Sequence, residues 1–161
     1  MLSNLFDFDV KQHLLPAKDL LWMDRWAVAC AHRLQTKIQV AYDTYQFHQV
    51  TQYIHHFCSE EMGSFYLDVI KDRQYTCQKN SRARRSAQTA MYHIVHALVR
   101  WIAPILSFTA EDIWDHIPGK QVESALMTKW YDGLFDLLDD DPLRHDDWGQ
   151  ARKVRDEVNK V

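Results

Sequence analysis

Apolar residues recur at steps of three and four along most of this chain, the spacing of a single buried helix face. Between Asp19 and Tyr42 they fall at Met23, Trp26, Ala27, Cys30, Leu34, Ile38 and Ala41, which predicts an amphipathic helix. Asp43-Thr44 breaks the pattern, and a second helix opens near there with Phe47, Val50, Tyr53, Ile54 and Phe57 inward. Ser59 before Glu60-Glu61 has the form of an N-cap with acids in the first turn. Either a third helix starts there or the second continues, burying Met62, Phe65, Tyr66, Val69 and Ile70 and ending around Arg73–Tyr75. After a polar link over 76–81, the pattern predicts the longest helix, from Arg82 to about Leu106. Its stripe is Ala87, Met91, Ile94, Val95, Leu98, Trp101, Ile102 and Ile105, and Pro104 should kink or end it. Thr109-Ala-Glu-Asp112 matches a capping box and predicts a short helix to Ile117, stopped by Pro118-Gly119. The period is lost over 120–147, where Trp130, Tyr131, Leu134, Phe135, Leu137 and Leu138 are expected to pack over the bundle. It returns from Trp148 to Val161. The fold class is all-α, an antiparallel helix bundle over 18–119, with an irregular lead-in over 1–17. An Asp-rich segment and a C-terminal helix fill 120–161.

Composition narrows the function. The 161 residues include 4 Gly and 4 Pro, where ordinary usage is about 7% Gly and 5% Pro. An all-β sandwich lacks its turn residues here. The glycines are isolated, so neither a dinucleotide fingerprint nor a phosphate-cradling loop is present, which argues against a self-contained nucleotide enzyme. No apolar run approaches the ~20 residues of a membrane span. The acidic stretch Met1–Val10 lacks the basic start of a signal peptide. Cys30, Cys58 and Cys77 are odd in number, widely spaced and without a C-x-x-C. That argues against a disulfide framework and a zinc site and fits a reducing, cytoplasmic compartment.

Nine histidines raise the question of a metal bundle. A di-iron bundle needs Glu-x-x-His pairs, and no histidine here has an acid three residues before it. His93 and His96 share that spacing with each other, flank the apolar stripe and read as partly buried structural residues. His55-His56 point to different helix faces. No G-x-S-x-G marks a nucleophile. Asp139-Asp140-Asp141 lacks the spacing of a calcium loop and reads as a solvated turn. Trp26 and Trp101 lie on apolar stripes and are expected in the core. Tyr75 is the aromatic best placed to face a partner.

The net charge of −3 hides two poles. Between Lys71 and Arg85 there are six basic residues and one Asp; between Asp132 and Asp147 there are seven Asp and one Arg. Ser81-Arg82-Ala83-Arg84-Arg85 is the sharpest anomaly. With Ser81 as N-cap, three arginines occupy a helix start, where the dipole disfavours cations by ~0.3–1 kcal/mol. Helix-end N–H groups and guanidinium forks together suit a phosphate. Two readings stay open: phosphate contact, or pairing with the Asp-rich 132–147 segment or solvent.

The same residues carry a family resemblance. Phe65-Tyr-Leu-Asp-Val-Ile-Lys-Asp-Arg-Gln-Tyr75, Ala83-Arg-Arg-Ser-Ala-Gln-Thr-Ala90 and Val99-Arg-Trp-Ile-Ala-Pro-Ile-Leu-Ser-Phe-Thr-Ala-Glu-Asp-Ile-Trp114 resemble the anticodon-binding domain of bacterial-type class I isoleucyl-tRNA synthetases. Asn4-Leu-Phe-Asp-Phe-Asp9, Leu21-Trp-Met-Asp-Arg-Trp26 and Val154-Arg-Asp-Glu-Val-Asn-Lys160 extend the match in order along nearly the whole chain. The resemblance implies a module that holds the tRNA anticodon stem-loop, with 1–17 linking from a preceding domain and part of a first helix lying before residue 1. It implies Lys71, Arg73, Gln74 and Tyr75 as tRNA contacts and Arg82, Arg84 and Arg85 as phosphate contacts. No residue here would be catalytic and none would hold a metal or cofactor. The ATP and magnesium sites, the editing domain and a zinc module would lie elsewhere in the parent. That parent would be a monomeric, cytoplasmic ligase with no membrane contact. The alternatives are the same domain of a valyl or leucyl synthetase, or a stand-alone helical protein-interaction module.

Overall fold

The computed structural model describes residues 1–119 and 122–158, and these are helical without strands. The helices are α1 (Val10–His13), α2 (Trp22–Asp43), α3 (Phe47–His56), α4 (Leu67–Thr76), α5 (Arg82–Ile102), α6 (Ser107–Asp115) and α7 (His145–Val158). A π-helical segment, Phe57–Tyr66, joins α3 to α4 without a break. The second helix therefore continues, and Ser59 is no cap: its hydroxyl donates back to the His55 carbonyl at 2.8 Å. The wider π turn brings the Cys58 carbonyl to within 2.9 Å of where a Cβ on Gly63 would sit, which is why glycine stands there.

Two contacts fix the directions. Leu21 N–H donates to Ser86 Oγ at 2.8 Å, and Tyr42 OH donates to the Trp101 carbonyl at 2.7 Å. So α2 and α5 run parallel, and α3–π–α4 returns between them, giving the expected up-down-up bundle. At 22 residues α2 exceeds α5, at 21, and the continuous α3–π–α4 run exceeds both. Pro104 ends α5 at Ile102, four residues short of the expected Leu106, because its ring cannot enter the helical ladder.

Sixteen of the 21 residues of α5 are buried, so it is the central helix. Trp101, Met91 and Ile94 meet Trp26, Phe57, Tyr66 and Ile38 in one core. Ala87, Ala90 and Ala97 let neighbours approach closely. A helix buried on all sides must also satisfy its polar side chains internally. Thr89 Oγ1 accepts from Leu15 N–H at 3.2 Å, and Gln88 Nε2 donates to the Asn4 carbonyl at 2.7 Å. The lead-in is thereby drawn against α5, with Leu5 and Phe8 in the core rather than irregular outside it.

Two further expectations change. Thr109 does not cap α6, which begins at Ser107, whose hydroxyl returns to the Ala103 carbonyl at 2.9 Å. The Asp139–Asp141 run is not wholly solvated: Asp141 is buried and accepts from Arg25 Nε at 2.7 Å. Arg25 also donates to the carbonyls of Lys18 and Leu20, at 3.2 and 3.0 Å, so one guanidinium pins both the entry turn and the Asp-rich segment onto α2. Leu134 is buried and Tyr131 stacks on His96, so the aperiodic segment does cover the bundle. The last helix starts at His145, with Trp148 against Trp26 and Phe65. Its expected run to Val161 lies outside the described residues beyond Val158.

Candidate nucleic-acid interface

The basic cluster of the sequence forms one end of the bundle, where α4 ends, α5 begins and α2 begins. Two buried carboxylates organise this pole. Asp24, fully buried on α2, accepts from four donors. Arg73 grips it with Nη2 on Oδ1 at 2.9 Å and Nη1 on Oδ2 at 3.1 Å. Tyr66 OH and Ser86 Oγ complete it at 2.8 and 2.5 Å. One carboxylate thus ties α2, the π segment, α4 and α5 together. Burial, and next the adjoining Asp24 charge, pushes the Tyr66 phenol well above its ordinary value, so it stays a donor.

Asp7 does the same for the start of α5. Its Oδ1 accepts from Gln88 Nε2 at 2.7 Å, and its Oδ2 lies 3.3 Å from Arg84 Nη2 and 3.6 Å from Arg85 Nη1. Arg85 also donates to the Asp7 carbonyl, to Gln88 Oε1 and to Asn80 Oδ1, at 3.1, 2.6 and 3.1 Å. Burial resists ionisation of Asp7, but the Gln88 amide and the two guanidiniums outweigh it and hold the carboxyl below its ordinary value. Burial in turn lowers the Arg85 guanidinium. The arginine partner is therefore Asp7, not the Asp-rich 132–147 segment. Ser81 is the N-cap of α5, accepting from Arg84 N–H at 3.3 Å.

The seven sequence-derived residues divide accordingly. Arg73, Arg84 and Arg85 aim their forks inward, and Gln74 is buried. A guanidinium committed to buried acceptors lends the surface a frame rather than a free fork. Lys71, Tyr75 and Arg82 are exposed. Lys71 lies 3.9 Å from Asp68, a loose i,i+3 pair, and Asp68 is itself held by Arg155. Arg82 Nε donates to the Asp19 carbonyl at 2.8 Å, which fixes its stem at the rim. Lys71 and Tyr75 stand four residues apart on one outer face of α4. Sequence reasoning passed over Lys18 and Trp22 and counted Lys79 only in the basic pole, not as a contact; all three are exposed here. Trp22 had a legible signal: it precedes the Met23–Trp26 stripe and so falls off the buried face.

The surface is thus a set of cations and aromatic rings set in a rim held rigid from beneath, suited to phosphates and unpaired bases. Residues 24–161 match the family described as the anticodon-binding domain of tRNA ligase. The chain belongs to this family. It is similar throughout its length to proteins named isoleucine–tRNA ligase. That of Thioalkalivibrio sulfidiphilus is 55% identical over 160 residues, 99% of this chain. That of Methylococcus capsulatus is 52% identical over 160 residues, and that of Mannheimia succiniciproducens 55% over 161. The chain spans 17% of the length of each of these relatives.

Proposed function

We propose that this chain is the part of an isoleucine–tRNA ligase that holds the anticodon stem-loop of the tRNA, at the pole where α4 meets α5. The observation that carries the reading is the identity of more than half of the residues with isoleucine–tRNA ligases along the whole chain. The chemistry of activating isoleucine with ATP and magnesium, and any zinc module, lies in the remaining domains of a monomeric, cytoplasmic parent. No described helix is long and apolar enough to cross a membrane. Lys71 and Arg82, with Lys79, meet phosphates and supply affinity and steering, while Tyr75 meets a base. Arg73, Gln74, Arg84 and Arg85 contribute by holding the rim in place.

The experiment is a titration of an isoleucine anticodon stem-loop RNA over a range of salt. Affinity should fall steeply with salt. Lys71→Glu combined with Arg82→Glu should weaken binding at least about tenfold at low salt and flatten the salt slope by about two contacts. Salt-insensitive binding, or an unchanged slope in the double variant, would overturn the phosphate assignment. For the parent, charging of tRNA with an amino acid other than isoleucine would overturn the named substrate.

A further inference from the structure

We infer that a cleft walled by α2, the α3–π run and α7 binds a free α-amino acid with an apolar side chain, a site apart from the RNA contacts at the α4–α5 pole. The cleft encloses about 270 Å³, at the small end of ligand sites. Its floor is apolar: Trp26 and Phe57 are buried, and Leu34 and Tyr53 are half-buried. Charged heads of both signs stand around that floor. Arg33 and Lys37 come from α2, Glu61 from the π segment and Arg152 from α7. The charges of Glu61, Arg152 and Arg33 all act on the Cys30 thiol, which lines the same cleft, so they surround one spot.

None of these heads is matched within the protein. Among the described residues Arg33, Lys37, Glu61 and Arg152 form no ion pair and no side-chain hydrogen bond, and Arg152 keeps Nη1 buried without a partner. Arg155, one turn along α7, does the opposite: it pairs with Asp68 and donates to the Ser64 carbonyl. Arg25, Arg73, Arg84 and Arg85 likewise hold carboxylates. An anion alone would leave Glu61 unmatched, and a cation alone would leave the guanidiniums unmatched. A zwitterion satisfies both. Glu61 takes its ammonium, and Arg152, backed by Arg33 and Lys37, takes its carboxylate. Gly149 points the same way. It lies inside α7, where alanine is the more stable residue. Neither close approach nor a positive φ calls for it, since a Cβ there would meet nothing within 4 Å. Gly149 lines the cleft, so a side chain would take room from the ligand.

The test is a calorimetric titration of the full chain with L-phenylalanine, with phenylpropionate, which lacks the ammonium, and with phenethylamine, which lacks the carboxylate. L-phenylalanine should bind at one site, and each analogue at least about tenfold more weakly, because each leaves a charged group unmatched. Glu61→Gln should weaken L-phenylalanine about tenfold without weakening phenylpropionate. Arg152→Gln should weaken L-phenylalanine and phenylpropionate without weakening phenethylamine. Gly149→Ala should raise the Tm through helix propensity and yet weaken L-phenylalanine about fivefold or more, which separates loss of binding from loss of fold. No saturable binding of L-phenylalanine, equal binding of all three compounds, or full affinity in Gly149→Ala would overturn the site. None of these titrations contains RNA, so their failure leaves the RNA reading standing.

Discussion

The two ends of the bundle solve the problem of a helix terminus in opposite ways. Where α4 meets α5, acids are buried and cations face water: Asp7 and Asp24 lie beneath Lys71, Lys79 and Arg82. At the far end, some 30 Å along α5, the α2–α3 turn, the α5–α6 corner and the 122–130 segment expose Phe47, Ile105, Leu106, Phe108, Leu126 and Trp130. Order there comes from backbone and ring packing. Thr44 ends α2 in a Schellman motif, with Gln46 N–H on the Ala41 carbonyl at 2.7 Å and Tyr45 N–H on the Tyr42 carbonyl at 3.0 Å. Arg100 lies over the rings of Trp114 and Tyr131, at 4.9 and 5.2 Å. The lesson is that a surface meant for charged ligands is stiffened by buried countercharge, whereas an apolar end can be built from main-chain geometry and rings.

The largest way to break this contrast is to remove the carboxylate hub. Asp24→Ala leaves the Arg73 fork, the Tyr66 hydroxyl and the Ser86 hydroxyl without their shared acceptor. A buried pair broken on one side costs about 3–5 kcal/mol. Chemical denaturation should show a loss of that size. A loss under about 1 kcal/mol would mean that the pole is not held by its buried acid.

Acid separates the ends next. Burial holds His93 down to about 4; burial, then the Arg100 and His93 charges, hold His96 down to about 3. An unfolded imidazole takes a proton near 6.5. As pH falls from 6.5 toward 4, the unfolded chain binds protons that the folded one refuses, so stability drops, by roughly 3 kcal/mol per histidine. His93 Nδ1 is 2.7 Å from Tyr131 OH, so the Tyr131 segment should loosen first. The lowered Asp7 carboxyl works later. Its stabilising effect is complete above its ordinary value near 3.8 and is lost only as pH falls through the lower folded value. Hydrogen exchange against pH should therefore open the Tyr131–His93 contact before the Asp7–Arg84 contact. The reverse order would refute the assignment.

These two networks also show how far the sequence is legible. Helix spans followed from the 3.6 period, and α5 was placed to within a few residues because one stripe runs its whole length. The family's positions were legible because their motifs are local and continuous. Pairing was not: Asp7 and Arg84 are 77 positions apart, and Arg25 and Asp141 are 116 apart. Periodicity identifies an inward face but does not say which buried acid an arginine on it will meet. The arginines at the α5 start broke the dipole rule, and that anomaly was legible; its cause, an acid from the lead-in, required the fold. The Ser59 and Thr109 caps failed for a related reason. Each lies inside a helix that began earlier: Ser59 bonds back to the His55 carbonyl, and α6 opens at Ser107, two residues before Thr109.

The apolar end should respond to backbone rather than charge. Tyr45 holds φ +57° at the position after the α2 cap, where a side chain is strained and glycine is not. Tyr45→Gly should stabilise the chain by about 0.5–1 kcal/mol, offset in part by the lost contact between the Tyr45 and Phe47 rings. A thermal melt would register the gain as a higher Tm. A clear loss would show that the ring contact outweighs the backbone strain.

The smallest effect should come from the most exposed ring. Phe108 is 90% exposed in the first turn of α6, where serine suits a helix start better than phenylalanine does. Phe108→Ser removes almost no buried area, so stability should change by about 0.5 kcal/mol or less. Anticodon stem-loop affinity should not change, because α6 follows the far end of α5. An RNA defect in Phe108→Ser with an unchanged melt would place part of the RNA footprint at the apolar end and break the division of labour between the poles. A neutral result would leave the charged pole as the RNA surface and the exposed rings of the α5–α6 corner without a part in it.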